Sequence, residues 1–352
     1  MTTKERVNRM IARKEADRVP ITDSPWQGTI SRWKREGMPQ DADWRDYFDV
    51  DKFEAIMVNP SPNYEQRTIE DTDTFFVLET NYGATIKYLK GEDTTPEFLD
   101  FKISDSQKWA EAKARIGHEA ERIQWDYLKK YMPLWHSEGR WIEALFWFGF
   151  DVTHSWMVGT ETLLIAMMEE PEWAADMFNT MVDTNIALFD QVWDAGYRFD
   201  GILFYDDMGY KQSQFFSLNT YRELLKPAHK KAIEWATNRG IASRLHSCGL
   251  MEPFVPDLIE CGLTMLNPLE VKAGMEPIHL KKTYGDKLVL NGGINAVLWD
   301  KSDEIKAEIE RVLPVLKENG GYIFSSDHSI PNAVSLTDFK DIVANVKRVG
   351  AY

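Results

Sequence analysis

Eight short apolar runs, separated by polar clusters and amphipathic stretches, constrain this chain more than any other feature. They occupy residues 18–23, 53–58, 141–148, 199–205, 241–246, 263–267, 287–291 and 322–325. Between the later runs, residues 218–238, 253–260, 278–284 and 302–318 carry helical patterning. Parallel strands need a crossover between them, so strand–helix alternation implies a parallel sheet, and eight such strands close a barrel. The expected fold is α/β: a single (β/α)8 TIM-type barrel, with residues 1–352 as one domain.

Two stretches break the rhythm between the second and third runs. Residues 75–88 alternate at period two around Asn81-Tyr82-Gly83, the pattern of an inserted β-hairpin. Residues 106–131 read as one long amphipathic helix. Asn319-Gly320-Gly321 supplies the left-handed residues that end a helix.

Charge narrows the partners. Lys and Arg number 41 against 56 Asp and Glu, a formal net charge of -15, which disfavours nucleic acid and anionic membrane surfaces. No run approaches the roughly 20 apolar residues that span a bilayer. The charged first 18 residues lack an apolar signal region, and the 2 cysteines, Cys248 and Cys261, form no disulfide framework. A cytoplasmic enzyme with a small-molecule substrate is expected, and a homo-oligomer stays open.

In a barrel of this type the reacting groups sit at the carboxyl ends of the strands. That rule selects Asp23, Asn59, Asp206-Asp207, His246-Ser247-Cys248, Asn267 with Glu270, Asn291, and Asp327-His328. His246 and Cys248 form the sharpest pair. Alternate residues of an extended segment share a side, so imidazole and thiolate can reach one metal ion, and that donor pair suits zinc. Further ligands would come from Asp207, Glu270, Asp327 or His328. Cys261 lies where a helix returns toward a strand, at the opposite end, and is expected to pack. Asp206 and Asp207 cannot both face inward, and the sequence leaves the choice open. Trp26 follows the first run in a pocket-lining position.

These residues resemble the uroporphyrinogen decarboxylase superfamily. The likeness is clearest in Phe204-Tyr-Asp-Asp-Met-Gly-Tyr-Lys211, Leu245-His-Ser-Cys-Gly249, Leu266-Asn-Pro-Leu-Glu270, Leu290-Asn-Gly-Gly-Ile294 and Asp327-His-Ser-Ile-Pro331. The resemblance implies a TIM-type barrel and one of two chemistries. The decarboxylase branch binds substrate carboxylates with an arginine-rich opening segment, places an aspartate after the second strand and a tyrosine after the third. This chain has Asp23 in a segment without arginine, Asn59 for the aspartate and Trp156 for the tyrosine; His328 alone matches. The methyltransferase branch binds zinc through His-x-Cys after the fifth strand and a second cysteine after the eighth. His246 and Cys248 match, whereas Ser326-Asp327-His328 stands where that second cysteine would be.

The resemblance therefore implies a zinc-assisted methyltransferase that moves a methyl group between a small methylated compound, or a thiol, and a corrinoid carried by a separate partner protein. Asp207, Glu270 and His328 are the expected catalytic groups. Asp23, Trp26, Asn59, Trp156, Tyr210 and Asn291 are the expected substrate contacts. Metal ligation would fall to His246 and Cys248 with Glu270, Asp327 or His328. Two alternatives remain: a metal-free decarboxylase anchored on His328 and Asp207, and a non-catalytic ligand-binding barrel.

Overall fold

The computed structural model describes residues 1–91 and 93–352. Seven of the apolar runs form one all-parallel sheet, in chain order. Its strands are β1 (Phe53–Ile56), β2 (Trp141–Phe146), β3 (Gly201–Tyr205), β4 (Ala242–His246), β5 (Met265–Asn267), β6 (Val289–Asn291) and β7 (Tyr322–Ile323). The result is a curled α/β sheet of the TIM type. Helices follow the strands as the alternation requires, among them Pro171–Asp194, Lys226–Thr237, Pro277–Tyr284, Ser302–Leu316 and Leu336–Val349. The helix Ser302–Leu316 is followed by Asn319, Gly320 and Gly321, all left-handed at φ 57°, 68° and 74°.

The first run makes isolated bridges rather than a continuous strand, with Ile21 beside Phe324 and Pro25 beside Ile330. Pro20 and Pro25 have no N–H to give, so a ladder cannot propagate through them. The segment nevertheless joins the two edges of the sheet. Phe324 N donates to Pro20 O (2.8 Å) and Thr22 N to Phe324 O (3.0 Å), while Asp51 N donates to Ile21 O (2.8 Å) on the β1 side. The Asp51 carboxylate, 2% exposed, returns the bond by accepting from Ile21 N at 2.8 Å. It also takes Arg6 Nη1 at 2.9 Å and Arg18 Nη1 at 2.6 Å.

The helix Thr3–Ile11 plugs the amino-terminal end of the sheet. Its Val7 and Met10 pack with Trp141, Ala242, Met265, Val289 and Ile323, which point inward from the strand starts. The outward residues of the same strands, such as Leu245, Leu266 and Leu290, join the much larger core under the helices.

The insertion between β1 and β2 differs from expectation in two ways. The strands Phe75–Glu79 and Ala84–Leu89 pair antiparallel, but as the middle of a four-stranded sheet completed by Arg67–Asp71 and Glu97–Phe101. In place of one long helix there are two, Ser106–Lys113 and Trp125–Ser137, with a 3-10 turn between them. Arg122 accounts for the break. Its buried guanidinium donates to the carbonyls of Asn59 (3.1 Å), Ser61 (2.8 Å) and Arg115 (2.9 Å), which pulls the chain off a helical path.

Replacing Asp51 with Ala strands the Arg18 guanidinium and the Ile21 N–H, and leaves Arg6 with Asp17 as its one carboxylate partner among the described residues. Removing one partner of a buried charge cluster costs about 3 kcal/mol or more. The urea midpoint of Asp51→Ala should fall accordingly; an unchanged midpoint would mean that the seam is held by packing alone.

Candidate metal and substrate site

A cavity of about 730 Å³ opens at the carboxyl ends of the strands, bounded by Trp26, Tyr205, His246, Asp327 and His328. It also reaches sideways between residues 22–26 and Phe53–Ala55, where Asp43, Trp44 and Arg45 line it. Among the described residues, no backbone hydrogen bond joins these two segments beyond Asp51, so the wall is slit there.

Asp207, His246 and Cys248 bring one ligand atom each to within 4.8 Å of one another. Strand periodicity places His246 on the inner face of β4 and Cys248 two residues on. The loop after β4 is held by backbone contact with the loop after β3: a Cβ at Gly249, where φ is +83°, would lie 2.2 Å from the Gly209 carbonyl carbon. That close approach lets Cys248 N donate to Asp207 Oδ1 at 2.7 Å.

The imidazole is oriented by Asn267. His246 Nδ1 lies 2.6 Å from Asn267 Oδ1, and the Asn267 amide nitrogen donates to Asn291 O at 3.2 Å. The amide oxygen therefore faces the ring, Nδ1 carries the proton, and Nε2 is left bare, 3.6 Å from Cys248 Sγ. Burial lowers the His246 pKa and keeps the ring neutral. Burial, with the charges of Asp207 and Glu270 added, pushes the Cys248 thiol well up. Without a cation the sulfur keeps its proton; a cation among the three donors would offset that penalty.

Asp206 turns the other way, as the alternation requires. Fully buried, it lies 2.6 Å from His229 Nε2, whose Nδ1 lies 3.1 Å from Tyr221 Oη, and it accepts from Asp151 N at 2.7 Å. The choice left open between Asp206 and Asp207 thus goes to Asp207 for the cavity. Asp151, near both aspartates, is raised by burial and then by their charges, so it holds a proton beside Asp207.

The remaining expected residues divide. Trp26 and His328 stand together at the mouth, ring centroids 6.2 Å apart, and Asp23 lines the cavity. Asn291 is on the floor, fully buried, accepting from Arg244 Nη1 at 3.1 Å. Others are turned to structural work. Glu270 accepts from Gly249 N (2.6 Å) and pairs with Lys272, outside the three-donor cluster. Asp327 accepts from Val271 N (2.9 Å) on one oxygen and Ala296 N (2.7 Å) on the other, tying three loops together, and lies outside the three-donor cluster. His328 is exposed and outside the cluster. Asn59 accepts from Ser61 Oγ (2.6 Å) inside its own turn. Trp156 packs on Trp147 and Phe98 at 5.3 and 5.5 Å. Tyr210 is half exposed, against Phe215 rather than the cavity.

Glu143 and Arg244, which form the cavity floor, were not among the expected residues. Arg244 Nε donates to Glu143 Oε1 at 2.9 Å and Nη2 pairs with the other oxygen. The signal was available: each is a charge inside an apolar strand, and Arg244 precedes His246 by two.

Residues 152–349 match the family model for uroporphyrinogen decarboxylase (URO-D). The chain belongs to the URO-D family. Among solved structures, a methyltransferase from Methanosarcina mazei superposes with a TM-score of 0.67 at 16% identity, covering 99% of each chain. At that identity the likeness establishes a shared fold. No curated protein sequence matches the chain. Among the described residues, no helix is long and apolar enough to cross a membrane.

Asp23 gives the site a pH signature. Burial raises its pKa to about 7, against backbone bonds from Ser326 and Ser24 that lower it. An unfolded aspartate ionises near 3.9, so between about pH 4 and 7 the native chain holds a proton that the unfolded chain has lost. This group's contribution to stability is therefore full in acid and falls as pH rises toward 7. The urea-midpoint difference between wild type and Asp23→Asn should change across that window. A constant difference would place the ionisation elsewhere.

Proposed function

We propose that this URO-D family chain is a methyltransferase that binds zinc through Asp207, His246 and Cys248. It acts on a small methylated compound, or a thiol, together with a corrinoid protein. The observation that carries the reading is the convergence of those three donors, with His246 Nε2 left bare by its bond to Asn267. Three protein donors of mixed N, O and S type, with cavity on the open side, suit a catalytic zinc better than a closed structural one. Asp207, from the loop after β3, would supply the third donor that the methyltransferase pattern draws from a cysteine after the last strand.

Zinc bound there would supply Lewis acidity, favouring the thiolate of a thiol substrate or polarising the heteroatom that bears a methyl group. The chain's own residues do the rest. Asn267 fixes the imidazole, Glu270 holds Gly249 and with it the Cys248 loop, and Asp327 ties the loops after β5 and β6. A heteroatom that loses its methyl group leaves with a lone pair and needs a proton. Asp23, holding one to about pH 7 on the cavity wall, is placed to give it. His328 and Trp26 flank the mouth through which the partner's corrinoid would approach.

The cavity argues against a porphyrinogen substrate. Its lining cations are Arg45, paired with Asp43 and Glu54, and Arg244, paired with Glu143; facing them are Asp23, Asp207 and Asp327. Several substrate carboxylates would enter without counter-charges.

Elemental analysis of chain purified with zinc available should find one zinc per chain. Cys248→Ser and Asp207→Ala should each lower that content and any methyl transfer together, while Cys261→Ser leaves both unchanged. Binding should weaken as pH falls through the imidazole range, because the ligands must lose their protons. Metal-free wild type indistinguishable from Cys248→Ser would end the methyltransferase reading.

A further inference from the structure

We infer that the cavity floor is a second recognition point, at which Arg244 takes an uncharged hydrogen-bond acceptor from the end of the substrate remote from the metal donors. The inference deepens the methyltransferase reading and rests on it only for the reacting end of the substrate.

A guanidinium has five N–H groups. In Arg244, Nε and one N–H of Nη2 go to Glu143, and one N–H of Nη1 goes to Asn291. The other two have no protein partner among the described residues, and the side chain keeps 11% exposure on the cavity floor. Glu143 has no such freedom. It is 1% exposed and also accepts from Trp141 Nε1 at 3.0 Å. Among the described residues, the floor thus turns Arg244 donors to the cavity and keeps the Glu143 carboxylate buried.

Charge selects the kind of acceptor. Glu143 already cancels the charge of Arg244. A substrate carboxylate would add an uncompensated negative charge to a cavity lined by Asp23, Asp207 and Asp327. A carbonyl, hydroxyl or ether oxygen can take the two N–H groups without that cost.

Length selects the size. Arg244 and His246 lie on the same face of β4, two residues or roughly 7 Å apart along the strand. That is about the reach of one disubstituted ring. The Phe53 ring lies 5.4 Å from the Arg244 guanidinium carbon, and the Tyr205 ring 4.7 Å from the His246 ring, so flat walls flank the space. The substrate class is a small, uncharged, ring-sized compound with a methylated heteroatom at one end and an acceptor oxygen at the other.

The test is binding to the full metal-free chain, followed by tryptophan fluorescence, with three probes: 4-methoxyacetophenone, 4-methoxybenzoate and 4-methylanisole. The ketone should bind at least about ten-fold more tightly than either of the others, the worth of one well-made hydrogen bond. Glu143→Gln keeps the shape of the floor and leaves the Arg244 charge uncompensated, so the benzoate should then overtake the ketone. Equal binding of ketone and 4-methylanisole by wild type, or benzoate as its tightest ligand, overturns the inference. If Glu143→Gln does not fold, as judged by its circular-dichroism melt, the wild-type comparison decides alone. No metal or methyl transfer enters this readout. A ketone preference without methyl transfer counts against the proposed function only, and methyl transfer without that preference counts against the floor subsite only.

Discussion

The reciprocal clasp between Asp51 and Ile21 closes the curled sheet where strand pairing stops. Prolines on either side of Ile21 deny that segment a continuous ladder, so the bond from Asp51 N and the return bond to its carboxylate do what several ladder bonds do elsewhere. Asp23 lies two residues beyond the clasp, and the slit in the wall begins there. The same carboxylate gathers Arg6 from the helix that plugs the opposite end. Closure, plug and cavity wall are therefore mechanically one unit.

Much of this arrangement was legible in the sequence, and what was not has identifiable physical causes. The seven parallel strands stand where apolar runs end in polar clusters, because strands buried on both faces must be apolar. His246 and Cys248 were legible because a period of two needs no tertiary information. Helix continuity across residues 114–124 was not, since the break depends on Arg122 reaching the carbonyls of Asn59 and Ser61 more than 60 positions away. Position after a strand proved a weaker guide than direction. Asn59, Glu270 and Asp327 all occupy carboxyl-end loops, yet each spends its side chain on backbone N–H groups or its own turn. Trp156 sits under the inserted sheet for the same reason: the sequence carries no sign of which wall a loop residue faces. Glu143 and Arg244 could have been found by asking why charges interrupt apolar strands.

The electrostatics of the site follow from depth. Burial makes His246 a better neutral donor and, with the nearby carboxylates, Cys248 a worse thiolate. These tendencies conflict for a nucleophile but would agree for a ligand pair, since a cation would displace the thiol proton and take the unprotonated ring nitrogen. The proton held on Asp151 belongs to the same balance, since burial and the neighbouring aspartates raise its pKa.

The contact between Gly209 and Gly249 has a consequence for how such a site can change over time. With no side chain at either glycine, two loops from neighbouring strands touch main chain to main chain, and a Cβ on either would force them apart. Asp207 and Cys248 hang from opposite sides of that contact. Their spacing is thus a property of the pair of loops, and neither loop can drift alone without opening the distance between the two donors. A change at His246 or in the floor beneath it can therefore reshape this pocket without separating Asp207 from Cys248, whereas a side chain at Gly209 or Gly249 cannot enter without doing so.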